Sequence, residues 1–194
     1  MNYAKSYIDF YRRYAAAVAT AKAARQEVED EYNAHSITKT TFEGKLEKIL
    51  ERTPKELDYS QKENKIITDF ETAYAAWIAP DGSKIDESDL KVLNPTFITS
   101  VTDLQHLADK HNANPTMAKA IRKYAEEKCF NVRTLDVEAP LKAMNTLKLF
   151  AQKALKDPNG YSAACLANDK FCQRLVDLAA VMDGKVMLTD TIEE

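Results

Sequence analysis

Apolar positions open the chain in two interleaved heptad rows. Tyr3, Phe10, Ala17 and Ala24 form one row, and Tyr7, Tyr14, Ala21 and Val28 form the other. Spacings of four and three alternate between the rows, which is the single apolar stripe of an amphipathic helix. No Gly or Pro interrupts the run from Tyr3 to His35. The pattern therefore predicts one helix roughly 50 Å long, at about 1.5 Å per residue. A rod of that length outreaches a small core and requires a partner helix. Asn33 to Ser36 marks its fraying end.

A shorter helix follows, from about Thr40 to Arg52. Phe42, Leu46, Ile49 and Leu50 give it one apolar face, while Lys45, Glu47, Lys48 and Glu51 give it a wet one. Thr40 and Glu43 have the spacing of a capping box. Thr53 as N-cap, Pro54 at the first helical position and Glu56 at the third predict the start of a third helix. It runs to about Ala79, where Pro80 stops it, and its stripe carries Tyr59, Ile66, Phe70, Ala73, Tyr74 and Trp77. The first helix is aromatic at its beginning and the third at its end. An antiparallel pairing joins those ends, places Trp77 beside Tyr7 and Phe10, and sets Ile66 and Ile67 against the small Ala stretch, large against small.

Beyond Gly82 the pattern shortens. Asp86 to Leu93 gives one turn or two. Ser100 or Thr102 caps a helix with Val101, Leu104, Leu107 and Ala108, broken at His111-Asn112-Ala113. Asn114 as N-cap and Pro115 behind it open a helix through Met117, Ala118, Ile121, Tyr124 and Ala125. Asn131 to Asp136 reads as extended but too short for a sheet. Pro140 opens a helix ending at the turn Asp157-Pro158-Asn159-Gly160. A last helix or pair of helices carries Tyr161, Leu166, Phe171, Leu175, Leu178, Ala179 and Met182, and Gly184 stops it. The tail from Lys185, acidic at its end, reads as mobile. The fold class expected is all-α: a long N-terminal antiparallel helical hairpin, coiled-coil-like, over residues 1–80, and a C-terminal bundle of short helices over 81–194.

Composition narrows the function. The chain has 194 residues, 45% of them hydrophobic, and a formal charge of −3. That balance supplies no broad positive field for nucleic acid. No apolar run approaches the ~20 residues of a spanning helix, so no membrane partner is expected. The opening Met-Asn-Tyr-Ala-Lys-Ser-Tyr lacks the apolar centre of a secretory signal. Cys129, Cys165 and Cys172 have no metal-type spacing and read as reduced thiols of a cytoplasmic chain.

Candidate chemistry is sparse. His106 and His111 are five apart, on different helical faces, and not at the i, i+4 spacing of a zinc helix. Cys165 and Cys172 are seven apart and read as core thiols. Glu27, Glu29, Asp30 and Glu31 surround a helix and do not share one face. No Gly-rich phosphate loop, nucleophile elbow or metal loop is present. The expectation is no catalytic residue, no cofactor and no metal. One constellation competes: Leu104 to Ile121, within residues 102–125, scans as a helix-turn-helix, with Thr116, Lys119, Arg122 and Lys123 as candidate DNA contacts. Two short helices around a tight turn are also common in any helical domain, and the acidic chain opposes DNA.

Three segments carry a resemblance. Asp89-Leu90-Lys91-Val92-Leu93-Asn94, Val101 to His111 with Leu104-Gln105-His106-Leu107-Ala108-Asp109-Lys110-His111, and Asn114-Pro115-Thr116-Met117-Ala118-Lys119-Ala120-Ile121-Arg122-Lys123-Tyr124-Ala125 resemble small helical proteins encoded by tailed phages and prophages of Gram-positive bacteria. Those pair a Leu-Leu-Asn segment with a Leu-x-x-Leu-Ala-x-Lys-His helix and an Asn-x-Thr-Met-x-x-Ala-Ile-x-x-Tyr-Ala helix. The resemblance spans about residues 89–125 and concerns caps and core positions, so it carries over no functional residue. It implies a phage or prophage setting, in virion structure or assembly, within the bacterial cytoplasm or the virion. The functional expectation is a non-catalytic protein–protein interaction protein whose partners are other chains, its own copies included. The alternative is a helix-turn-helix DNA-binding regulator.

Overall fold

A computed structural model of the chain describes residues 2–190. Helix α1 (Tyr3–Asn33) starts on Asn2, whose side chain accepts from the Lys5 amide and whose Nδ2 donates to the Val176 carbonyl. It ends on His35 in the left-handed region, φ 56°. The Ser36 amide donates to the Glu31 carbonyl and the His35 amide to the Tyr32 carbonyl. That is the Schellman pattern, made here without the usual glycine.

Helix α2 (Lys39–Arg52) is capped two residues before the expected Thr40. Thr38 is the N-cap and accepts from the Thr41 amide. The cap expected at Thr53 for the next helix does not form either. Thr53 is extended, as a residue preceding proline tends to be, and its hydroxyl donates to the Ile49 carbonyl at 2.7 Å, closing α2. Helix α3 (Glu56–Ile78) starts on Lys55 with no side-chain cap.

Helices α2 and α3 together run antiparallel to α1 in one continuous register. Tyr32 stacks on Phe42 at 4.5 Å, Tyr14 meets Tyr59 at 4.4 Å, and Tyr3 meets Phe70 at 5.9 Å between ring centroids. The hairpin thus forms, but its aromatic ends match less closely than expected. Because Tyr3 lies opposite Phe70, Trp77 extends past the start of α1. It packs instead beside Ala118, Leu135, Val137 and Val181, and not against Tyr7 and Phe10. Ile66 shares a hollow with Phe10 and Arg13, so it does not oppose the Ala stretch.

After α3 come a 3-10 turn (Gly82–Lys84) and α4 (Glu87–Val92), then α5 (Val101–Lys110) and α6 (Pro115–Lys128). The starts of α5 and α6 follow expected caps, Ser100 of the pair Ser100 or Thr102 and then Asn114, while the cap of α4 had not been assigned. Asp86 accepts from the Ser88 and Asp89 amides, Ser100 and Asp103 form a capping box, and Asn114 accepts from the Thr116 and Met117 amides. Strand β1 (Arg133–Leu135), α7 (Ala139–Lys156), α8 (Tyr161–Ala167), α9 (Asp169–Ala179) and strand β2 (Leu188–Asp190) complete the chain. The 131–136 stretch was expected to be too short for a sheet and the tail to be mobile. Instead β1 pairs antiparallel with β2, Thr134 opposite Thr189. The acidic Glu193 and Glu194 lie outside the described residues. Gln105 lines the other edge of β1: its Nε2 donates to the Arg133 carbonyl and its Oε1 accepts from the Arg133 amide.

The fold is all-α apart from those two short strands, and its largest core cluster draws on α1, α3, α7, α8 and α9. Tyr7, Ala4, Leu147, Ala143 and Ala151 are completely buried within it. Helices from both sides of residue 80 therefore share one core. Buried Glu63 sits between α1 and α3. The Tyr7 hydroxyl donates to it, and the Tyr59 hydroxyl donates to the same oxygen at 3.4 Å.

Candidate functional site

The region read as a helix-turn-helix does form two helices, α5 and α6, joined by a tight turn. Its expected exposed face does not form as such. The Thr116 hydroxyl accepts from the Asp81 amide at 3.3 Å. Lys119 Nζ donates to the Ile78 carbonyl at 2.6 Å. That carbonyl belongs to the last turn of α3, where the helix lacks its own donors and where a cation is favoured. Arg122 is half-buried and bonds Glu126 one turn on, while Lys123 is exposed. Asn114 adds a third strap, donating to the Lys84 carbonyl at 2.6 Å. The first turns of α6 are thus engaged by the segment that follows α3.

The same region holds a cluster that the sequence did not disclose. Asp86, Asp89 and His111 each bring one potential ligand atom within 4.8 Å of the others. Asp86, the N-cap of α4, and Asp89 within it supply the two carboxylates, and His111, the C-cap of α5, supplies the imidazole. His111 Nε2 lies 2.6 Å from Asp89 Oδ2, and its side chain is 10% accessible. A carboxylate only accepts, so Nε2 carries the proton of this bond. Lys110 Nζ lies 2.5 Å from Asp89 Oδ2 and 3.4 Å from Asp86 Oδ2, where a bound cation would sit. The other Asp86 oxygen caps α4. Both Asp86 oxygens, Asp89 Oδ2 and His111 Nε2 are therefore already engaged, and the cluster works as an ionic clamp between α4 and the end of α5. Lys110 first, and His111 after it, holds the Asp89 carboxyl below its ordinary pKa. A lowered carboxylate contributes stability above its unfolded pKa and loses it as pH falls through the folded value. Asp89→Asn should speed amide exchange over residues 87–92 several-fold at neutral pH while leaving α1 unchanged. Equal protection in both proteins would show that the clamp holds nothing.

Cys172 is buried, its thiol donates to the Leu166 carbonyl at 3.3 Å, and burial pushes it up from the ordinary thiol pKa.

The remaining feature is an arm. From Ala15 onward α1 leaves α3 and pairs with α2, whose main contacts are all with α1. Between Tyr11 and Tyr59 the only buried residue is Val28. Phe42, Leu46 and Ile49 are half-buried against α1, whereas Leu50 and Leu57 are 64% and 66% exposed. Among the described residues no helix is long and apolar enough to cross a membrane. No protein-family model, no curated protein and no solved structure matches the chain.

Proposed function

We propose that this chain is a non-catalytic interaction protein of a tailed phage or prophage, a structural or assembly component that presents its α1–α2 arm to other protein chains. The observation that carries the interaction reading is the arm, ordered over two helices with Val28 as its single buried residue. Fixing each backbone residue costs about 1–2 kcal/mol of conformational entropy, and two isolated helices bury too little to offset it. Contact with another chain supplies the missing burial. The phage setting, in the bacterial cytoplasm or the virion, rests on the resemblance over residues 89–125 alone.

The test uses particles and assembly intermediates from an induced lysogen carrying this gene. The wild-type chain should co-sediment with them. A Leu50→Glu, Leu57→Glu variant with unchanged helicity should not. A wild-type chain absent from both fractions overturns the reading. Binding of the purified chain to mixed-sequence duplex at low salt would favour the DNA-binding regulator in its place.

A further inference from the structure

An apolar cleft of about 380 Å³ opens where the arm leaves the body. Tyr11, Ala15 and Val18 of α1 form one wall, and Leu155, Pro158 and Ala163 of the α7–α8 turn form the other. The α1 wall comes from a stretch without a carboxylate, and the α7–α8 wall carries one, Asp157. Residues 10–26 hold Arg12, Arg13, Lys22 and Arg25 with no Asp or Glu, and residues 139–156 hold Lys142, Lys148, Lys153 and Lys156 with none. In a chain of net charge −3 this is a local excess of positive charge. Arg12 is engaged by Asp169 and Arg25 by Glu29. Lys22, Lys153 and Lys156 are exposed and ion-paired to no described residue.

The far end of the same helix has the opposite character. Glu27, Glu29, Asp30 and Glu31 crowd the tip of the arm. Arg25 takes Glu29 and Lys45 takes Glu31, which leaves Glu27 and Asp30 without a cation. Beside them Tyr32, 36% exposed, stacks on Phe42 at 4.5 Å. Cleft and tip are separated by roughly 18 Å along one rigid helix, at about 1.5 Å per residue.

We infer that the cleft receives the arm tip of a second copy of this chain, the two α1 helices lying antiparallel about a two-fold axis. Such an arrangement is isologous, so both tip-to-cleft contacts form at once and the assembly closes as a dimer. The acidic flank of the tip meets Lys22 and Lys156, and the aromatic pair fills the apolar floor. A parallel arrangement sets acidic tip against acidic tip, which like-charge repulsion disfavours. This inference rests on the interaction reading above and names its partner.

Sedimentation velocity across concentration and salt tests it. The wild-type chain should dimerise at low ionic strength and weaken as salt screens the contact. Glu27→Lys with Asp30→Lys, and separately Lys22→Glu with Lys156→Glu, should each weaken dimerisation about tenfold or more. Mixing the two variants should restore it, because each partner then offers a tip matched to the other's cleft. Circular dichroism of each variant confirms that it folds. A wild-type monomer at every concentration, variants that dimerise normally, or a mixture that stays monomeric would each overturn the proposal, as would occupancy of the cleft by an added fatty acid with no self-association. A monomer that still enters phage particles would sink the dimer and spare the interaction reading. A dimer excluded from particles would do the reverse.

Discussion

Leu147→Ala should lower the unfolding free energy by about 3–4 kcal/mol, near the upper part of the range for a buried leucine. Leu147 is completely buried in the largest core cluster. Its neighbours one turn away on α7 are Ala143 and Ala151, and Ala4 and Ala154 also line the cluster. Alanine has no side chain that can swing into a void, so the cavity stays open and its cost is fully felt. Urea unfolding should show a lower midpoint at unchanged slope, and thermal unfolding a drop of about 10 °C. Leu147→Met, which conserves volume, should lose under about 1.5 kcal/mol. A loss that small for the alanine variant would mean that α7 is not the centre of the core.

Tyr7→Phe should cost about 2 kcal/mol, the usual worth of a hydrogen bond to a charged group. Its hydroxyl is the close donor to Glu63, and Tyr59 at 3.4 Å is too distant to replace it. The variant therefore leaves a carboxylate inside the α1–α3 seam without its main partner. Adding Glu63→Gln to Tyr7→Phe should recover part of the loss, since a neutral amide is less costly to bury. If the double variant is no better than the single one, the seam depends on ring packing and not on this bond. Alkaline pH provides an independent check. Burial, and then the Glu63 bond, raises the Tyr7 phenol above the ordinary tyrosine pKa, and burial does the same for Tyr59. A raised pKa contributes stability in full below the unfolded value near 10 and loses it as pH climbs toward the folded value. The wild-type protein should destabilise above about pH 10, and Tyr7→Phe should flatten that decline.

Helix starts beyond residue 82 were legible, whereas the caps read at Thr40 and Thr53 were displaced to Thr38 and Lys55. Ser100 and Asn114 were readable because a cap is a contact within four residues. Helix ends were harder. Two of them place non-glycine residues in the left-handed region: His35, and Cys129, behind which the Phe130 amide donates to the Ala125 carbonyl. No glycine marks either position. The register of the hairpin was readable in principle but was misjudged. Matching aromatic ends set Trp77 beside Tyr7, whereas the short turn after α1 fixes Tyr32 against Phe42, and counting back leaves Trp77 beyond Tyr3. The β1–β2 pairing and the His111–Asp89 contact bridge distant parts of the sequence. Nothing in either segment alone names its partner. The arm and its opposite charges at tip and base were visible as strings of residues. That the cleft lies between α1 and the α7–α8 turn required the tertiary packing.

The break at Thr53-Pro54-Lys55 divides the returning half of the hairpin into two lengths of unequal grip. Beyond it, α2 holds α1 through a half-buried face. Before it, α3 is anchored by rings and by the Glu63 seam. Pulling from the turn at residues 34–38 would unzip the outer length first, and the proline would stop the tear from running inward. The tip can then open and reclose while the body keeps its shape.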